Sequence, residues 1–274
     1  MRGDSSGCKR GVKRHVNERI TISIVTHNSR HIFDVLDHLK KELGANSNYD
    51  IHLFDNASKE EYLKRLEDYS SLITLHRSSE NKGFGYGHNQ VFEQSTSKYG
   101  IIFNPDITVE KKDLDQMLQR LKEEQVAAVC PKVLNPDGTT QYLVRRKLDV
   151  FDYMLRFIPF QFVKKLFDKR LSYFECRDLP DDQTSFIKMG SGCFMMIDIE
   201  KFREVGGFDE RYFMYFEDND LCLSFGKKGY KILYTPFETV IHLYEKGAHK
   251  NQKLFKIFLQ SMAKFFNKWG WRFF

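Results

Sequence analysis

The 274-residue sequence has five cysteines, Cys8, Cys130, Cys176, Cys193 and Cys222, and no C-x-x-C pair among them. That spacing excludes an encoded zinc site or disulfide framework and reads as a reducing compartment. No run approaches the roughly 20 apolar residues that cross a bilayer, and no apolar stretch follows the basic start as a secretion signal would. The expectation is a cytoplasmic protein that is neither integral nor secreted by that route. There is no internal repeat and no low-complexity tract. Tryptophan is scarce, 2 against 25 phenylalanines, which hints at apolar surface beyond what one core needs. The net charge of +6, from 43 Lys and Arg against 37 Asp and Glu, is too small a surplus to imply nucleic acid.

What is present is ordinary globular material. Hydrophobic residues make up 41% and charged residues 29%, so the chain buries a core rather than remaining disordered. Residues 1–18 are polar, basic and Gly/Ser-containing, a flexible tail or added leader outside the fold. From Arg19 onward, short apolar runs at 20–25, 51–54, 71–75, 100–103 and 126–130 alternate with helical patterns at 31–43, 59–69, 84–97 and 111–124. That alternation predicts an α/β protein with a mostly parallel central sheet and helices on both faces.

Ligands of such sheets bind beyond the carboxyl ends of the strands, and those ends are unusually polar. They read Thr26-His27-Asn28-Ser29, Asp55-Asn56-Ala57-Ser58 and Asn104-Pro105-Asp106, with the glycine-rich Asn81-Lys82-Gly83-Phe84-Gly85-Tyr86-Gly87-His88-Asn89 before the third helix. The glycine segment matches neither G-x-x-x-x-G-K-[ST] nor G-x-G-x-x-G, so spacing alone does not make it a phosphate loop. Asp55 and Asn56 read equally well as helix caps, and Asp106 as a cap or as a carboxylate holding a divalent cation on a diphosphate. At Glu217-Asp218-Asn219-Asp220, three carboxylates crowd one helix start. That arrangement raises proton affinity and suits a general base, or else complements the helix dipole.

The order ITISIVTHNS, LFDNAS, NKGFGYGHN, IIFNPD, GSGCFMMI, GGFDERYFMYFEDNDLCL resembles the family 2 glycosyltransferases of the GT-A fold, closest to their bacterial rhamnosyltransferase-like branch, over residues 20 to about 245. The resemblance implies an inverting transfer from a nucleotide-sugar with Mg²⁺ or Mn²⁺ on the diphosphate. L-rhamnose from dTDP-rhamnose is the implied donor. A lipid-linked saccharide in cell-surface polysaccharide assembly is the implied acceptor. By position, Thr26, Asn28 and Asp55 would line the nucleoside pocket, and Asn81, Lys82, Gly83 and Asn89 would lie along the ribose and diphosphate. Asp106 would bind the metal; where the wider fold has D-x-D, this chain has Asn104, a neutral amide. His242 would be the second metal ligand, or a buried structural histidine. Asp218 would be the base, Glu217 would orient the acceptor, and Asp220 would cap or anchor the helix.

The expected organisation is a GT-A domain over 19–249, with a nucleotide-sugar half at 19–130, an acceptor half at 131–249 and an amphipathic helical insertion at 148–183. A basic, aromatic C-terminal helix follows at 250–274. That helix carries Leu254, Ile257, Phe258, Met262, Phe265 and Trp269 on one stripe, with Lys253, Lys256 and Lys264 away from it, and the segment has no acid. It fits an interfacial helix on anionic lipid at the inner face of the cell membrane. The alternative is a helix packed on the catalytic domain or on a second copy in a homodimer. Two other readings stay open: a non-catalytic sugar- or membrane-binding protein on a GT-A scaffold, and a nucleotidyltransferase.

Overall fold

The computed structural model describes residues 19–44, 47–158, 160–243 and 252–274. The expected tail at 1–18 and the expected boundary at 249/250 lie outside the described residues. The strands are β1 (Ile20–Thr26), β2 (Tyr49–Asn56), β3 (Ile73–Ser78), β4 (Tyr99–Phe103), β5 (Ile107–Val109), β6 (Val126–Leu134), β7 (Ser185–Ile187), β8 (Phe194–Asp198) and β9 (Lys231–His242). The helices are α1 (Ile32–Leu43), α2 (Glu60–Glu67), α3 (Phe84–Gln94), α4 (Lys111–Leu121), α5 (Val150–Phe157), α6 (Gln161–Leu166), α7 (Asp168–Phe174), α8 (Ile199–Glu204), α9 (Glu217–Lys227) and α10 (Gln252–Trp269).

One sheet runs in the order β3-β2-β1-β4-β8-β6-β9-β5, with β7 also on β9. Strands β1, β2, β3, β4, β6 and β9 point one way, and β5, β7 and β8 the other. β1 is buried at all its positions, as a strand covered on both faces must be. The two-residue period of a strand divides its side chains between two cores. Ile24, Ile101 and Met196 face a core shared with α1, α2 and α4. Val25, Ile102 and Met195 face a second core shared with α3, α8, α9, α10 and the insertion.

Two irregularities place the functional side chains. β8 enters antiparallel between β4 and β6, which carries the small residues Gly190–Gly192 to the carboxyl end of β4. β9 shifts register on β6 past Pro131, and buried Glu238 fixes the bend, accepting from Arg120 Nε (2.9 Å) and Nη2 (2.8 Å) and from the Thr235 hydroxyl. Beyond the bend β9 pairs with β5, setting His242 opposite Ile107 and beside Asp106.

The apolar stripe of α10 turns inward. Phe258, Met262, Phe265 and Phe266 are buried in the second core, and the Ser261 hydroxyl donates to Met214 O at 2.8 Å. Of the partners expected for this helix, the structure supplies the catalytic domain. The interfacial reading of the stripe is thereby corrected, because side chains already packed on protein are not available to lipid.

Candidate active site

Register alone assembles the first part of the site. Thr26 lies opposite Asp55, and Phe103 closes β4 beside β1, so three strand ends share one edge. Asp55 is buried. Its Oδ2 accepts from Ser58 N–H at 3.0 Å, while Oδ1 is buried without a hydrogen-bond partner. The cap reading of Asp55 therefore accounts for one oxygen. A buried carboxylate oxygen without a donor is costly, and a ligand N–H is the chemistry that would satisfy it. Thr26 Oγ1 is bonded to Tyr62 OH. Asn28, at φ 52, accepts from Lys59 N–H through Oδ1 (2.9 Å) and donates its own N–H to Ser58 Oγ (2.8 Å). It shapes the rim of the pocket through the backbone that follows β2.

The glycine-rich loop is held from below. Asn56 Nδ2 donates to Gly83 O (2.8 Å), and Asn81 Oδ1 accepts from Gly83 N–H (3.1 Å). Gly83 has φ 97, and a Cβ there would lie 2.2 Å from Phe213 O, so only glycine fits. Lys82 is exposed, with its ammonium 4.8 Å from the Tyr86 ring centre. Asn89 lies elsewhere. Its Nδ2 donates to Phe208 O and Glu210 Oε1, both at 2.9 Å, and its Oδ1 accepts from Phe208 N–H at 2.9 Å. These bonds engage both polar atoms in fixing the 207–210 loop, so the structure makes Asn89 a scaffold residue rather than a diphosphate contact.

Asn104 contributes backbone, donating its N–H to Cys193 O (2.9 Å) and accepting from Ile107 N–H (3.3 Å). This turn presents Asp106, whose Oδ1 is buried without a hydrogen-bond partner and lies 3.4 Å from His242 Nε2. Gln141 fixes the imidazole tautomer. Its Nε2 donates to His242 O (2.9 Å), which leaves Oε1 to accept from Nδ1–H (3.0 Å). In the neutral imidazole this would leave the Nε2 lone pair toward the carboxylate, an arrangement that a shared cation would satisfy. Two ligands at right angles on bonds of 2.0–2.1 Å lie about 3 Å apart, so this pair fits Mg²⁺ or Mn²⁺. Among the described residues no group of three or more His, Cys, Asp or Glu side chains could hold a metal.

The catalytic candidates stand at the same edge, across β8. Asp218 Oδ2 accepts from Gly192 N–H (2.9 Å), and Oδ1 accepts from the Asn219 backbone and side-chain N–H groups (2.7 Å each). Burial raises its proton affinity above the ordinary aspartate range, opposed by these bonds and by the nearby Arg145 guanidinium. Glu217 is buried with Oε2 lacking a hydrogen-bond partner; burial, then the charge of Asp218, holds its carboxyl well above the usual range. The preceding Tyr215 and Phe216 both have left-handed backbones, φ 72 and 70. Non-glycine residues rarely adopt this conformation, and such strain clusters at functional turns. Asp220 faces away, accepting from Lys268 Nζ (2.8 Å) and Trp269 Nε1 (2.7 Å) of α10. It anchors that helix.

Sequence reasoning does not reach Tyr62, Gln141 or Arg145. Tyr62 reads as one more helical core position, and the other two lie in the irregular stretch before the insertion, where no periodicity marks them. A cleft lined by Lys132, Gln141, Tyr142, Arg177, Ser191 and Tyr234 opens beside this group and is likewise invisible in one dimension.

Known proteins align with this architecture. Rhamnosyltransferase WbbL of Escherichia coli (strain K12) is 25% identical over 246 residues, 86% of this chain and 86% of the relative. An N-acetylglucosaminyl-diphospho-decaprenol L-rhamnosyltransferase of Mycobacterium tuberculosis (strain CDC 1551 / Oshkosh) is 26% identical over 182 residues, 62% of this chain and 58% of the relative. In structure, GalNAc-T7 with UDP, GalNAc and Mn²⁺ superposes with a TM-score of 0.67 at 17% identity, over 92% of this chain and 48% of the other. The Pyrobaculum calidifontis mannosyltransferase PcManGT in complex with GDP-Man and Mn²⁺ gives 0.58 at 16% identity, over 92% and 71%. These structural likenesses establish the GT-A fold. The model of the family described as Glycosyl transferase family 2 matches residues 21–206, and the chain belongs to that family, in its rhamnosyltransferase-like branch.

Proposed function

We propose that this glycosyltransferase moves L-rhamnose from dTDP-rhamnose, with inversion, onto a lipid-linked saccharide in bacterial cell-surface polysaccharide synthesis, working at the inner face of the membrane. The observation that carries the reading is Asp218, a carboxylate of raised proton affinity held by Gly192 N–H at the sheet edge that also bears Asp55 and Asp106. The sugar and the acceptor class rest on the names of the aligned relatives. The glycosyltransferase family displaces the nucleotidyltransferase alternative, and the conjunction of Asp218, Asp106 and His242 favours turnover over a purely binding role.

In this reading Asp55 Oδ1 accepts from the thymine N3–H, while Thr26 and Asn28 shape the nucleoside pocket. Asn81, Lys82 and Gly83 follow the ribose and diphosphate. Asp106 and His242 hold a divalent cation, which when bound offsets the charge of the departing diphosphate. Asp218 takes the proton of the acceptor hydroxyl as its oxygen attacks the anomeric carbon from the side opposite the diphosphate. Glu217, its proton affinity raised by burial, orients the acceptor that enters by the Lys132–Arg177 cleft.

The test is a panel of nucleotide-sugars with a saccharide-diphospho-lipid analogue, the product linkage read by NMR. Transfer specific to dTDP-rhamnose, with anomeric configuration opposite to the donor, is expected. Asp106→Ala should lower metal-supported nucleotide affinity by about tenfold or more. Retained configuration, a different preferred sugar, or metal-independent binding by both proteins would each contradict the corresponding assignment.

A further inference from the structure

With the stripe of α10 buried, the exposed apolar surface lies elsewhere. The short helix α6 has no buried residue; Phe162 is 72% exposed and Leu166 77%, and at i, i+4 they share one helix face. Phe160 is exposed beside Phe162, with ring centres 5.9 Å apart. Just beyond α6, Phe167 meets Phe151 (5.3 Å), and Phe151 meets Phe274 (5.1 Å). Residues 271–274 are fastened there by Val150 N–H to Arg272 O (2.9 Å) and Phe151 N–H to Phe273 O (3.2 Å), leaving Trp271, Phe273 and Phe274 exposed. Two segments distant in sequence thus present one aromatic surface, larger than scattered apolar exposure explains.

Its charge is mainly basic. Residues 153–167 and 251–274 contain no Asp or Glu, Lys165 and Lys169 are exposed on and beside α6, and the exposed Asp168 between them is paired with Arg177 at 2.8 Å. We propose that α6 together with residues 271–274 is a docking foot for an anionic lipid surface, its aromatic side chains entering the headgroup boundary and its lysines facing the headgroups. A second copy of the chain is the weaker occupant, because a twofold interface through this face would set Lys165 and Lys169 against their own copies. The foot is joined to the turn before Glu217 through α5: Phe151 meets Phe167 and Phe274, and Tyr153 packs on Phe216 at 4.8 Å. Docking would hold the acceptor side toward the bilayer, an extension that rests on the lipid-linked acceptor proposed above.

The experiment is flotation of the full chain with vesicles of phosphatidylglycerol and phosphatidylcholine, against phosphatidylcholine alone, alongside light scattering and transfer to a short soluble acceptor. The wild type should float with the anionic vesicles and be released by salt. Phe162→Ser with Leu166→Ser should lower partition by about tenfold or more, with melting temperature and soluble-acceptor transfer unchanged. Lys165→Glu with Lys169→Glu should weaken flotation at low salt and flatten its salt dependence. Flotation of both double variants like the wild type would overturn the foot. So would a wild-type dimer that the serine variant converts to monomer. A wild type that floats but transfers no sugar would leave the foot standing and remove the proposed reaction.

Discussion

A single histidine illustrates how local surroundings become a property of the whole fold. His88 is fully buried, its Nδ1 bonded to Ser23 Oγ at 2.8 Å and its Nε2 buried without a partner, among the rings of Phe84, Phe92 and Phe208. Burial pushes its pKa down from 6.5 to about 3. The unfolded chain therefore binds a proton below about pH 6.5 that the folded chain excludes. The contribution of His88 is complete above that pH and is lost as the pH falls toward 3, at about 1.4 kcal/mol per unit. Denaturant melts of wild type and His88→Gln at pH 7.5 and 5.0 should show the stability gap between them shrinking by about 2 kcal/mol at the lower pH. A gap that does not change with pH would contradict a buried, neutral imidazole.

Among the elements, α10 decides between two physical roles for the same amphipathic sequence. Its aromatic stripe is legible in one dimension; what covers the stripe is not, because lipid and a protein core select the same apolar residues. The structure resolves this through polar partners, since Asp220 receives both Lys268 and Trp269 of α10. Phe265 is 2% exposed and packs on Phe216 at 5.4 Å, so α10 also supports the strained turn ahead of Glu217. Phe265→Ala should destabilise the fold by about 3–5 kcal/mol, the cost of a large core truncation. A surface residue would change it by about 0.5 kcal/mol or less. Calorimetric melting distinguishes the two.

At the scale of the whole molecule, the parallel strands β1, β2, β3 and β4 and the polar ends of β1, β2 and β4 were readable because strand period and strand-end polarity are local signals. The path of β8 between β4 and β6 was not, since an antiparallel return leaves no mark on the pattern of a buried strand. That return brings Gly192 N–H to Asp218 and so joins the proposed catalytic turn to the proposed donor edge. Asn89 was misplaced for a similar reason: an amide beside glycines looks like a ligand contact until the 207–210 loop folds over it. The claim on which the functional account rests is that Asp218 removes the acceptor proton. Asp218→Asn keeps the size and can keep the Gly192 contact, losing the acceptor that faces the Asn219 N–H groups, and it cannot take a proton at working pH. Turnover and donor-nucleotide affinity measured together on this variant should show transfer falling by about 10² to 10⁴ with nucleotide affinity nearly unchanged; wild-type-like transfer would contradict the account.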